Sequence, residues 1–108
     1  MFEVKVSPQA AEDLLGIKNY IENELQNPIA AQNTVLKIIE TYENLSNFPN
    51  SGISVTKYIS FPTDYRFVLA NNYSIFYRIE KEVVRVVRIL YSRKDFVHIL
   101  FDGQDKNT

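Results

Sequence analysis

Apolar residues recur at helical spacing through the first half of the chain. Residues 2–6 (FEVKV) alternate apolar and polar positions, as a half-buried strand does. Two helical stretches follow, and each opens with a polar cap before proline, Ser7-Pro8 and Asn27-Pro28. Their apolar positions are Ala10, Leu14, Ile17, Ile21 and Leu25, then Ala31, Val35, Ile38, Ile39, Tyr42 and Leu45. The pattern predicts two helices joined by about three residues, and therefore an antiparallel hairpin.

The hydrophobic period changes to two after the helices. Four strand-like runs follow, at residues 54–61, 65–70, 73–80 and 83–91. The link Asn71-Asn72 tolerates positive φ and predicts a tight hairpin, and short links in general require antiparallel pairing. The predicted class is α+β with the order β-α-α-β-β-β-β, in which the helical hairpin covers one face of a curved antiparallel sheet.

The chain is predicted to form one domain over residues 1–108. Its 45% apolar and 23% charged residues are typical of a folded globular protein of this length. Residues 95–103 (DFVHILFDG) predict a short turn or helix, and residues 103–108 a frayed tail. Apolar runs reach only four residues and the N-terminus lacks a secretory pattern, so we expect a cytoplasmic protein with no membrane span.

Residue usage narrows the possible chemistry. The chain has no cysteine and a single histidine, His98, which excludes thiol chemistry and a His-rich metal site. We therefore expect no metal and no cofactor. Residues 7–50 carry six acidic residues against two lysines, a net charge of −4, whereas residues 51–108 carry nine basic against six acidic, a net charge of +3. The near-neutral total argues against strong non-specific nucleic-acid binding but permits a local cationic patch.

Two arginines interrupt the last strand-like run, VVRVVRILY at residues 83–91. Strict alternation places Arg85 and Arg88 on opposite faces of the strand, with Arg85 on the same face as Tyr91 and Arg93. Arg85 is therefore the predicted surface residue, and the other arginine is predicted to be structural.

Cations also follow this run directly, because Arg93 and Lys94 come next in the chain. Arg85, Arg93 and Lys94 are the candidates for binding an acidic partner. The alternative for an arginine in the strand is a structural role. Its aliphatic stem then packs on the sheet, and its guanidinium group reaches water or a carboxylate such as Glu80 or Glu82.

Three sequence segments, in their order along the chain, resemble those of the RelE/ParE superfamily of toxins from bacterial type II toxin–antitoxin systems. They are residues 27–52 (NPIAAQNTVLKIIETYENLSNFPNSG), 65–79 (YRFVLANNYSIFYRI) and 83–96 (VVRVVRILYSRKDF). The resemblance extends from residue 2 to about residue 101. It implies a toxin, often linked to plasmid stabilization, that a cognate antitoxin neutralises by folding a disordered, often acidic segment around it.

The branches of this superfamily differ in their targets. Members that resemble ParE inhibit DNA gyrase, and those that resemble RelE cut messenger RNA on the ribosome without a metal. The long capped helices and the NFPNSG phrase are more similar to ParE, which is the favoured interpretation. A member without toxicity, or an unrelated interaction module, is a third alternative.

The nuclease alternative can be examined residue by residue. Arg66 and Arg93 match the two basic positions of the RelE pattern, but Ile99 stands where RelE has a tyrosine. Metal-free cleavage needs an acid–base group beside the cations. Tyr91 and His98 are the remaining candidates for that role, and neither lies at the matching position.

Overall fold

The computed structural model describes residues 1–92 and 95–105. The α+β class and the predicted order of elements are confirmed. The strands are β1 (Glu3–Val6), β2 (Ile53–Ser54), β3 (Arg66–Ala70), β4 (Tyr73–Glu80) and β5 (Val83–Tyr91). The helices are α1 (Pro8–Asn19), which continues as a π-helical segment (Tyr20–Glu24), α2 (Pro28–Glu43), which ends in a 3-10 turn (Asn44–Ser46), and α3 (Phe96–Asp105).

Both predicted helix caps are present. The Ser7 hydroxyl accepts a hydrogen bond from the Ala10 amide at 3.0 Å, and the Asn27 side chain does the same for the Ala30 amide at 3.0 Å. Gln26, in the short link between the helices, has a φ of 51°. This left-handed residue reverses the chain, so that the two helices form the predicted hairpin.

The predicted apolar stripes of the helices face the sheet, with one exception. Ala10, Ile21, Ala31, Ile38, Tyr42 and Leu45 are buried. Leu25 is 57% exposed because it follows the last turn of the π-helical segment.

The sheet has the order β1-β5-β4-β3-β2, and its neighbours from β2 to β5 are antiparallel. The first strand departs from the prediction, since β1 pairs with β5 in parallel. Asn71 has a φ of 52°, which confirms the tight hairpin predicted there.

The run at 54–61 is mostly not a strand. Only Ile53 and Ser54 pair with β3, and residues 55–58 form a 3-10 turn instead. The Ser54 hydroxyl accepts from the Thr56 amide at 3.3 Å, and the Thr56 hydroxyl bonds to both the carbonyl and the amide of Thr63. These local side-chain bonds compete with the sheet ladder and turn the chain away from it.

A β-bulge lies in the middle of β5. Val86 pairs with Tyr77 and Arg88 pairs with Phe76, so Val87 is an extra residue on that strand. The bulge shifts the alternation of buried positions. As a result, Ile89 joins Val86 in the core beneath the helical hairpin, although strict alternation predicts that these two residues lie on opposite faces.

Two apolar clusters hold the sheet. The main core lies between the helical hairpin and one sheet face. A second cluster of Val55, Phe76, Leu90 and Phe101 packs on the other face, where α3 lies. The predicted C-terminal helix is thus present, and it extends to Asp105, into the stretch predicted as a tail. Of the described helices, none is long and apolar enough to cross a membrane.

Candidate functional site

Arg66 holds a loop beside the sheet. Its Nη1 atom donates to the Gly52 carbonyl at 2.8 Å. Tyr77, the partner of Arg66 in β4, is fully buried; its hydroxyl donates to the Pro49 carbonyl at 2.7 Å and accepts from the Gly52 amide at 2.9 Å. Burial raises the pKa of Tyr77, while the Gly52 hydrogen bond and the charge of Arg66 oppose that rise. Arg66 therefore fixes the loop that follows α2.

Arg88 is the structural arginine of β5. Its Nε and Nη2 atoms donate to the two carboxylate oxygens of Asp13 at 2.7 and 2.9 Å, and the Ile89 amide also donates to Asp13 at 2.9 Å. The hydrogen bond to Asp13 raises the pKa of the Arg88 guanidinium, and burial acts in the opposite direction. Because β1 ends at Val6, it cannot supply an acceptor for the Ile89 amide at the edge of β5. Asp13 on α1 supplies that acceptor instead. The sequence stripe gave no sign of this role, since Asp13 reads as one polar position of an amphipathic helix.

A groove of about 1080 Å³ lies between α1, the π-helical segment, α2 and the end of the sheet, and Ile99 of α3 also lines it. Tyr91 borders it, 41% exposed, and contacts the Tyr73 ring edge to face with centroids 5.9 Å apart. Burial raises the pKa of Tyr73, and its neighbours Tyr20 and Tyr91 add to that rise. Among the described lining residues, the groove therefore presents tyrosines, and its arginine, Arg88, is paired with Asp13.

Among the described nuclease candidates, Arg66 lies apart from Tyr91 and from His98. Arg66 and Tyr91 pair with Tyr77 and Tyr73, four residues apart on β4, which corresponds to about 13 Å along the strand. His98 belongs to α3, which packs on the face opposite the helical hairpin; it is exposed, and its Nε2 atom lies 3.4 Å from the carboxylate of Asp95. The structure does not bring Arg66, Tyr91 and His98 to one site.

Arg85 is a surface residue paired with Glu80, one of the two carboxylates that the sequence suggested. The Nε atom lies 3.2 Å from the Glu80 carboxylate, and the two side chains are 43% and 51% exposed. The predicted shared face of Arg85 and Tyr91 is wrong. The bulge lies between them, and Tyr91 pairs with Tyr73, which packs against the core under the helical hairpin.

Two further predictions about the site concern Arg93 with Lys94 and the binding of a metal. Arg93 and Lys94 lie outside the described residues, and their binding role stays a prediction. Among the described side chains, those of residues 1–92 and 95–101, no group of three or more His, Cys, Asp or Glu is arranged to hold a metal ion.

Comparison with known proteins identifies the class. The chain matches the family described as ParE toxin of type II toxin-antitoxin system, parDE, over residues 4–96. It is therefore a toxin of the RelE/ParE superfamily, as the sequence resemblance predicted. Within that superfamily, the chain belongs to the ParE toxin family.

One solved structure with the same fold is described as "Chromosomal ParDE TA system from P. aeruginosa". The two chains are 24% identical with a TM-score of 0.70, and the alignment covers 84% of this chain and 96% of that chain. A search of curated proteins gives no significant match.

Proposed function

We propose that this toxin acts in the bacterial cytoplasm by binding and inhibiting DNA gyrase, and that a cognate antitoxin neutralises it. The observation that carries the proposal is the separation of Arg66 from Tyr91 and from His98. Metal-free RNA cleavage needs a cation and an acid–base group within hydrogen-bond reach of the same phosphate. Arg66 instead bonds to a loop carbonyl, and His98 lies on α3, across the sheet. This arrangement favours inhibition by binding over cleavage.

Neutralisation by a partner protein is supported by the family and by the outer surface of the helical hairpin. Leu15, Ile29 and Leu36 are 57%, 73% and 55% exposed on the two helices. Large apolar side chains that stay exposed on two packed helices are the kind of surface that a protein partner covers. An antitoxin that covers them would bury apolar area that the toxin alone leaves in water.

Expression of residues 1–108 in a bacterium tests the toxin assignment. Growth should stop, and co-expression of the small open reading frame next to the gene should restore it. Normal growth with confirmed soluble protein would contradict an active toxin.

The mechanism is tested separately with purified protein. The chain should inhibit supercoiling by gyrase, and messenger RNA from arrested cells should remain uncut. A Tyr91→Phe/His98→Gln variant should keep full toxicity, because both side chains are exposed and neither has a catalytic role in this proposal. Ribosome-dependent cuts in messenger RNA that disappear in this variant would support the RelE-like alternative and refute gyrase inhibition.

A further inference from the structure

Three cations from two ends of the chain form one row across the sheet. Lys5 on β1 pairs with Arg85 on β5, and Arg85 pairs with Arg78 on β4. Neighbouring strands lie about 4.8 Å apart, so the three Cα atoms span about 10 Å. We name Lys5, Arg85 and Arg78 the cationic row.

The cationic row lies on the sheet face that the helical hairpin does not cover. Side chains alternate between the two faces along a strand, and the strand neighbours of each cation pack in or against the main core. Those neighbours are Val4 and Val6 for Lys5, Val84 and Val86 for Arg85, and Tyr77 and Ile79 for Arg78. The three charged heads therefore emerge together on the opposite face.

Like charges directly across a strand pair repel each other, and each arginine of the row has its own carboxylate. Arg78 Nη2 lies 3.0 Å from Asp64, and Arg85 Nε lies 3.2 Å from Glu80. All four side chains are between 39% and 57% exposed. Ion pairs this exposed are weak, so an incoming carboxylate can replace either partner. Lys5 is exposed and makes no salt bridge to the described part of the chain.

The guanidinium groups are oriented and keep unused donors. The Arg78 guanidinium lies over the Tyr65 ring, 5.7 Å from its centroid. Its Nε atom is buried and has no hydrogen-bond partner among the described residues, so a donor that an incoming carboxylate can reach must lie on its Nη atoms. A guanidinium has five N–H donors, and the described carboxylates engage one donor on each arginine.

We infer that the cationic row of Lys5, Arg85 and Arg78 is a binding site for an acidic protein segment. The row is complementary in charge to aspartate and glutamate side chains, and Asp64 and Glu80 already occupy it as internal carboxylates. Two acidic residues in alternate positions of an extended chain are about 7 Å apart, within the span of the row. Nucleic acid is disfavoured because phosphate binding depends on many cations, whereas three interspersed with carboxylates are present.

The inference rests on the proposed neutralisation by an antitoxin, because an acidic antitoxin segment is the occupant that fits the row. The two can fail separately: a row that does not bind an acidic peptide would leave rescue of growth by the antitoxin unaffected. Fluorescein-labelled octaglutamate is the probe, and its anisotropy is measured with the purified full chain at low salt. Octaglutamate should bind and octaglutamine should not. The Lys5→Gln/Arg85→Gln variant should bind about tenfold more weakly, as expected for the loss of charge-assisted contacts.

A matched control separates the row from general charge. Lys18→Gln/Lys37→Gln removes the same charge from exposed positions of α1 and α2, and affinity should stay within about twofold of the unmodified chain. Glu80→Gln removes the internal competitor of Arg85 and should strengthen binding by about threefold. A purely structural role of Arg85 predicts no such gain.

Three results would overturn the inference. The first is an equal loss of binding in the row variant and in the helix control. The second is tighter binding of an octathymidylate strand that depends on Lys5 and Arg85, which would assign the row to nucleic acid. The third is self-association in sedimentation velocity that the row variant abolishes, which would assign the row to the acidic helices of a second copy.

Discussion

Replacement of Asp13 by alanine should destabilise the fold strongly. Asp13 is the acceptor for two Arg88 hydrogen bonds and for the Ile89 amide, and its side chain is only 11% exposed. Its removal leaves a cation and an amide without their acceptor. This makes Asp13 the clearest single test of how α1 is attached to the sheet.

The size of the stability loss follows from the groups that lose their hydrogen-bond acceptor, the Ile89 amide and the Arg88 guanidinium. An unpaired buried amide costs about 1–3 kcal/mol, and breaking a fully buried ion pair costs about 3–5 kcal/mol. The Arg88 side chain is 23% exposed, so water can partly solvate it after the change. We expect Asp13→Ala to lower the free energy of unfolding by about 2–4 kcal/mol, which corresponds to a melting temperature lower by about 10–20 °C for a domain of this size.

Urea unfolding at neutral pH measures this loss, with the midpoint and slope fitted together. Asp13→Asn should lose less, about 1–2 kcal/mol, because its amide oxygen still accepts from the Ile89 amide. Glu12→Ala is the matched control; it removes an exposed carboxylate from the adjacent position of α1 and should change stability by less than about 0.5 kcal/mol. If Asp13→Ala and Glu12→Ala unfold at the same urea concentration, Asp13 does not hold α1 to β5.

Three further changes test other parts of the structure. Gly52→Ala should cost about 1–3 kcal/mol in urea unfolding, because the new Cβ would contact the Tyr77 hydroxyl and lie 2.7 Å from its ring; equal melting curves would contradict this contact. Burial raises the pKa of Tyr77 above 10.0, so its contribution to stability is full below pH 10 and is lost above it, by at most about 1.4 kcal/mol per pH unit. Tyr77→Phe should therefore flatten the fall in stability between pH 10 and 11, and an unchanged slope would refute the argument. Arg93→Ala/Lys94→Ala should leave the melting temperature nearly unchanged and weaken antitoxin or target binding by about tenfold to a hundredfold; unchanged binding would remove both residues from the site.

Local signals in the sequence predicted most of the fold. The caps at Ser7 and Asn27 and the turn at Asn71 depend on residues within three positions of each other, and all three are present. The apolar stripes depend on helical period alone, and they identified the core face of both helices. Features of this kind are encoded over short distances and can be inferred without a partner strand.

Features that depend on distant pairing were missed. The bulge at Val87 exists only relative to β4, so strict alternation assigned Ile89 and Tyr91 to the wrong faces. The parallel pairing of β1 with β5 has no local signal either, so no sequence pattern could place Lys5 beside Arg85. The sequence therefore suggested residue types for the candidate site, but it did not show which residues lie next to one another.

The order of strands also determines when the chain can fold during synthesis. The strand that contacts both β1 and β4 is β5, the last strand to be made. The Ser7 hydroxyl donates to the Val87 carbonyl, and Asp13 accepts from Arg88; these partners are 80 and 75 residues apart in the chain. Contacts of such separation form slowly and late. Until β5 leaves the ribosome, β1 has no strand to pair with and the apolar faces of the helical hairpin have no complete sheet to cover. We expect a nascent chain that stops before residue 83 to remain unfolded and prone to aggregation, so that a cell meets this toxin in its folded form only after β5 has been synthesised.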